Sequence, residues 1–216
     1  MNSLYQYYQP LELIAWQSRQ QPAATISEPS LPDWETLRQC VASCTACPLH
    51  HSRTQTVFGT GDSQAKLMII GEAPGFNEDQ QGEPFVGRAG QLLTAMIKAI
   101  GYQRHNVYIA NILKCRPPEN RDPSAAEVAT CTPFLNQQIA LLKPQLLLAV
   151  GRIAAHYLLN TKKSLESLRG QVYPFGEQQT PLIVTYHPAY LLRSPADKKK
   201  AYTDLQFVQK TLAQNK

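Results

Sequence analysis

Residues 66–75 read KLMIIGEAPG, an apolar run from Leu67 to Ile70 that is closed at once by Gly71, Pro74 and Gly75. Four apolar residues in a row, with no polar residue between them, suit a strand buried on both faces, and two glycines with a proline stop it in a tight turn. The pattern recurs further along the chain, at Val107–Asn111, Gln145–Gly151 and Leu182–Tyr186. Between these runs the periodicity is helical: Ala89–Ile100, a helix capped by Ser124 that reaches about Leu142, Arg152–Leu159, and a closing helix over Ala196–Ala213. Strands alternating with helices predict a three-layer α/β/α fold around a four-stranded parallel sheet, with ligands at the carboxyl ends of the strands. The loops at those ends are residues 71–75, 111–118, 151–152 and 187–190. They hold nearly all the unusual chemistry of the sequence.

Ahead of the first strand, Asp33 is placed to cap a helix that carries Trp34, Leu37 and Val41 on one face and ends near the Cys44–Pro48 turn. Residues 1–32, with scattered glutamine and proline and few charges, predict a flexible N-terminal extension whose one candidate element is a short helix over Leu11–Trp16. Residues 33–216 are expected to form one domain, since 216 residues that are 43% hydrophobic can bury one sizeable core. No run reaches the roughly 18 apolar residues of a membrane span, and the N-terminus lacks a basic start followed by an apolar stretch. A soluble, cytoplasmic protein with no membrane partner is expected. The net charge of +5 suits an anionic partner but also an ordinary soluble protein.

The five cysteines are more telling. Cys44-x2-Cys47 puts two thiolates on one turn, a spacing that serves zinc or an iron–sulfur cluster, and Cys115 and Cys131 could complete a four-thiolate site. Spacing alone leaves the metal open, and also leaves open that Cys115 and Cys131 are merely buried. Cys40-x3-Cys44-x2-Cys47 further matches the three-cysteine pattern of radical S-adenosylmethionine enzymes. Those enzymes carry it in a loop after an early barrel strand, whereas here it ends a predicted helix in a chain short for a barrel. Cys40 is therefore expected to be a packed or spare thiol.

In the strand-end loops, Phe85 lies within a glycine-rich stretch, residues 84–90, that leads into a helix whose N–H groups could bind an anion, although an aromatic ring there could equally be core. Asn111 ends a strand with a donor and an acceptor on one amide, which suits a pyrimidine edge or a loop cap. His187 sits at another strand end before Pro188; alone it would read as structural, but several such residues on one edge point to a site. Arg88, Lys114, Arg116, Arg121, Arg152 and Arg193 fall in or beside the same loops and would place positive charge around a pocket mouth. Lys198–Lys200 reads as a solvated face.

Taken together, Cys44-x2-Cys47, residues 71–75 (GEAPG), 84–90 (PFVGRAG), Asn111-x3-Cys115 with 116–118 (RPP), 120–123 (NRDP), 186–189 (YHPA) and 191–193 (LLR) resemble the family 4 uracil-DNA glycosylases from about Asp33 to the last helix. The resemblance implies a four-stranded parallel sheet between helices, a structural [4Fe–4S] cluster on Cys44, Cys47, Cys115 and Cys131, and hydrolysis of the N-glycosidic bond of deoxyuridine in single- and double-stranded DNA by a monomer. It also implies roles. Glu72, Asn111 and His187 would be catalytic, with Glu72 positioning water or stabilising the sugar cation and His187 donating to uracil O2. Phe85 would stack on the base, Asn111 would read its edge, the Gly71 and Ala73 backbone would line the pocket, and Glu78 would crowd the C5 side, since Gly75 stands where other glycosylase families place a blocking tyrosine. Arg88, Arg116, Arg152 and Arg193 would contact the DNA. A superfamily relative that captures uracil-DNA covalently through a histidine in a basic insert fits less well, because residues 87–92 have neither insert nor histidine. A non-catalytic DNA-binding protein with a four-cysteine metal site is the alternative from another class.

Overall fold

The computed structural model describes residues 33–214. The extension expected over 1–32, with its candidate helix, lies outside them. The first helix, α1 (Trp34–Ala42), starts where Asp33 Oδ1 accepts from the Thr36 amide at 2.7 Å, and it buries Leu37 and Val41 against Phe58. A short 3-10 turn over Pro48–His51 then carries the chain past the first cysteine pair.

Four parallel strands form the centre of the sheet: β2 (Leu67–Gly71), β3 (Tyr108–Asn111), β4 (Leu146–Val150) and β6 (Thr180–Thr185). Two short antiparallel strands, β1 (Thr60–Gly61) and β5 (Tyr173–Phe175), extend it at the edges, giving the order β1-β3-β2-β4-β6-β5. The sheet thus has six strands rather than four. Two residues of β1 and three of β5 are too few to show a periodicity, so their pairing is set by the neighbouring strand.

The apolar runs divide by alternation. Met68, Ile70, Leu147 and Ala149 face one side with α4 (Ala125–Leu142) and α5 (Arg152–Leu158), while Leu67, Ile69, Leu146, Leu148 and Val150 face the other with α3 (Arg88–Lys98) and α8 (Lys198–Gln214). Burial on both faces is why these strands read as continuous apolar runs and why the fold has three layers. Three further short helices go beyond the sequence expectation: α2 (Phe76–Gln81), α6 (Leu165–Leu168) and α7 (Pro188–Arg193). The sheet is built outward from β2 on one side through β3 and on the other through β4 and β6, so the strand order switches between β2 and β4 and a crevice opens there at their carboxyl ends.

Candidate active site and cysteine centre

Gly71 and Asn111 face each other in register at the ends of β2 and β3. A Cβ on Gly71 would stand 2.3 Å from Asn111 Oδ1 and 2.6 Å from Phe85 Cζ, so only glycine lets the amide and the ring close over the strand end. Asn111 is 1% exposed, and neither its Oδ1 nor its Nδ2 has a partner in the protein. A buried amide left this way costs about 1–3 kcal/mol per group, a cost expected at a site where a ligand supplies the missing bonds. Asn111 is therefore no loop cap.

Phe85 has a positive φ of 54°, a strained conformation for a side-chain-bearing residue. Four contacts hold it there. The Val86 and Gly87 amides donate to Glu78 Oε1 at 2.9 and 3.0 Å, the Arg104 guanidinium donates to the Pro84 carbonyl, and Gly90 is so close that a Cβ would stand 1.8 Å from the Phe85 carbonyl oxygen. The ring, both buried and turned to the site, lies 5.8 Å from the His187 ring. Glu78 thus has a hold on this loop, and its other oxygen lies against Gly75.

His187 caps α7, and its Nδ1 accepts from the Ala189 amide at 3.1 Å. That bond places the proton of the neutral ring on Nε2. Burial lowers the imidazole pKa to about 4, with the Arg193 charge adding to the effect, so the ring is neutral at physiological pH. Behind it Gly151 has a φ of +99°, and a Cβ there would come within 2.9 Å of His187 Cβ.

Glu72, Arg152, His187, Tyr190 and Arg193 line a cleft of about 500 Å³ at the β2–β4 crevice. Burial raises the Glu72 carboxyl to about 7, the nearby Asp122 charge pushes the same way, and Arg152 opposes both. A larger cavity, about 710 Å³ beside the amino end of β6, is lined by none of the expected site residues. Ala73 is partly buried on the loop between Glu72 and Pro74.

Of the expected cations, Arg88, Arg152 and Arg193 are exposed and Arg116 is half-buried. Two others are corrected. Lys114 is 1% exposed and points inward, its ammonium donating to the Asn111 carbonyl at 2.8 Å and to Gln138 Oε1 at 2.6 Å. Arg121 is committed to Glu127, at 2.6 and 2.9 Å, within the cap of α4 that Ser124 and Glu127 form. Lys198–Lys200 is exposed, as a solvated face should be, although Lys200 pairs with Asp197 at 3.1 Å.

Cys44, Cys47, Cys115 and Cys131 line one small pocket, closed in by Val41, Phe134, Arg53 and Lys114. Arg53 Nη1 donates to Cys115 Sγ at 3.1 Å, and the Lys114 amide donates to Cys131 Sγ at 3.3 Å. Burial pushes the Cys131 thiol up to about 11 and raises that of Cys115 as well. Among the described residues, no group of three or more His, Cys, Asp or Glu side chains is arranged to hold a metal ion. The donor set itself, four sulfurs flanked by N–H donors and two cations, suits an anionic thiolate-bound group. Cys40 is exposed and outside this pocket, so it is a spare thiol and not a packed one.

Sequence reasoning missed Arg53, Gln138 and the pair Arg169–Asp204. Arg169 bonds Asp204 through Nε and Nη2 at 2.8 and 3.0 Å, and Asp204 accepts from the Thr185 hydroxyl at 2.7 Å, fixing the strand end that carries His187. Nothing in the sequence marks these residues. They lie on helices and loops far from the motifs they support.

The family model for the uracil DNA glycosylase superfamily matches residues 58–206. The chain is 42% identical over 179 residues to a type-4 uracil-DNA glycosylase of Pyrobaculum aerophilum, covering 80% of this chain and 91% of that protein. It is equally identical over 167 residues to a type-4 uracil-DNA glycosylase of Thermotoga maritima, covering 76% of this chain and 85% of that one. A type-5 uracil-DNA glycosylase of Thermus thermophilus is 29% identical over 150 residues, 61% of this chain and 68% of its own.

Proposed function

The chain belongs to the uracil DNA glycosylase superfamily, and from that premise we propose that it hydrolyses the N-glycosidic bond of deoxyuridine in DNA, releasing uracil and leaving an abasic site. It is a DNA-repair hydrolase. The observation that carries the reading to these residues is Asn111, a buried amide with both polar atoms unpartnered beside an aromatic ring and a neutral imidazole.

A deoxyuridine turned out of the strand loses its stacking, a cost of a few kcal/mol that pocket and backbone contacts offset. Phe85 supplies the face against which the base packs. The Asn111 amide pairs with the O4 and N3–H edge, which cytosine, with its amino group, cannot match. Glu78 and Gly75 bound the side of the pocket where C5 lies, Gly71 and Ala73 give backbone to its wall, and a thymine methyl is crowded there. As the glycosidic bond breaks, negative charge gathers on the base and positive charge on the sugar. His187 donates its Nε2–H to uracil O2, a contact worth about 2.7–4 kcal/mol in comparable oxyanion sites. Glu72, when ionised, orients the water and stabilises the sugar cation. Arg88, Arg116, Arg152 and Arg193 hold the phosphates of single- or double-stranded DNA. The protein acts as a monomer in the cytoplasm.

Cys44, Cys47, Cys115 and Cys131 would hold a [4Fe–4S] cluster. When bound it supplies a four-point covalent tie between the turn after α1, the loop after β3 and α4. Arg53 and the Lys114 amide then bond thiolate sulfur, and the two nearby cations offset its charge.

To test the activity, the protein is purified without oxygen and incubated with end-labelled DNA containing one uracil. An alkali-labile break at that position is expected, and its absence from protein that carries iron and sulfide would overturn the reading.

A further inference from the structure

Five large apolar or aromatic side chains are exposed among the described residues: Phe76, Tyr157, Val172, Tyr190 and Tyr202. Three of them lie at the carboxyl edge of the sheet with arginines. Tyr190 shares the Glu72–His187 cleft with Arg193, Tyr157 shares an adjoining depression with Arg152, and Phe76 carries the Arg116 guanidinium over its ring, 5.1 Å from the centroid. Phe76 is the most exposed of the five at 57%.

Its placement is constrained. Phe76 opens α2 directly after Gly75, and Glu78 in the same helix holds the Phe85 loop, so the ring rides on the element that shapes the pocket. Arg116 belongs to the loop after β3, five residues beyond Asn111 at the strand's end, and its Nε is anchored to Asn120 Oδ1 at 2.8 Å. One side of the aromatic ring is therefore backed by a fixed planar cation and the rest is left to solvent. A single apolar ring set among arginines is poor ground for a protein partner, whose interface needs a wider apolar centre. It matches a nucleobase, which has a π face for the ring and a phosphate for the guanidinium.

We propose that Phe76, backed by Arg116, is a stacking platform for an unpaired base beside the uracil, so that the protein grips a single strand by two bases at once. This rests on the glycosylase reading and names how its substrate is held. In a duplex the neighbouring base is already stacked and paired, so the platform gains less there. Replacement of an aromatic platform weakens binding on the order of tenfold per stacked base.

The test uses the full chain and uracil oligonucleotides that carry 2-aminopurine next to the uracil on either side. Wild-type protein is expected to quench that fluorescence on binding the single strand, F76A to abolish the quenching and raise KM for the single strand about tenfold, and F76W to restore both. The KM for the duplex should change much less. Quenching and KM unchanged in F76A would overturn the proposal, as would a loss confined to the duplex, which is the mark of a wedge. If wild-type protein binds and quenches yet releases no uracil, the glycosylase reading fails while the platform stands.

Discussion

Burial moves the pKa values of Glu72 and His187 in opposite directions, each toward its uncharged form, and each displacement can be read in a pH profile. Glu72 titrates near 7, so its carboxylate form is gained as pH rises through neutrality, and kcat/KM should show an acid limb there that disappears, with a lower plateau, in E72Q. The stability effect runs the other way. Between about 4.5 and 7 the unfolded chain has released a proton that the folded protein still holds, so stability falls with rising pH across that window, and E72Q should melt above wild type at pH 8 but not at pH 4. His187, lowered to about 4 from 6.5, is neutral in the fold while the unfolded chain takes up a proton, so it costs stability as pH drops between those values. As a neutral donor it should sustain catalysis without a titration near 6.5. H187A is expected to cut kcat by about 10²–10³-fold in single-turnover assays, with DNA affinity little changed. An unaltered rate would remove it from the mechanism. Lys114 shows where residue types mislead: in the sequence it stands with the arginines as a surface cation, and only the fold reveals that the Asn111 carbonyl and Gln138 receive it indoors.

At the scale of elements, what could be read in the sequence was what is buried on both faces. The four parallel strands and the long helices announce themselves because most of their inward positions are apolar, and their ends differ from expectation by only a residue or two, as between Lys198 and the expected start at Ala196. The short pieces did not, since β1, β5 and α6 owe their form to neighbours and not to their own few residues. The same applies to the tie between α6, α8 and β6, where Arg169, 10% exposed, pairs with Asp204, 3% exposed. Removing one partner of a buried pair costs about 3–5 kcal/mol. D204A should therefore lower the Tm by about 10 °C or more. D204N, which keeps an acceptor for Thr185, should lose less, and equal losses would show that charge alone matters.

For the molecule as a whole, charge and cross-linking set the expectations. Four arginines on phosphates should give a slope of log K against log salt of about −3 for a single strand, and R193A should make it shallower by about 0.7. A slope unaffected by all four substitutions would move the DNA elsewhere on the surface. C131S should lose bound iron and lower the Tm, because the sulfurs join parts of the chain far apart in sequence. That separation matters while the protein is being made. Cys47 leaves the ribosome 84 residues before Cys131, so at about 5–20 residues per second the first two thiols wait several seconds for the fourth. During synthesis the pair stands as an open half-site of the proposed centre, exposed to any passing oxidant, and the order of translation makes α4, which carries Cys131, the last part of the centre to arrive.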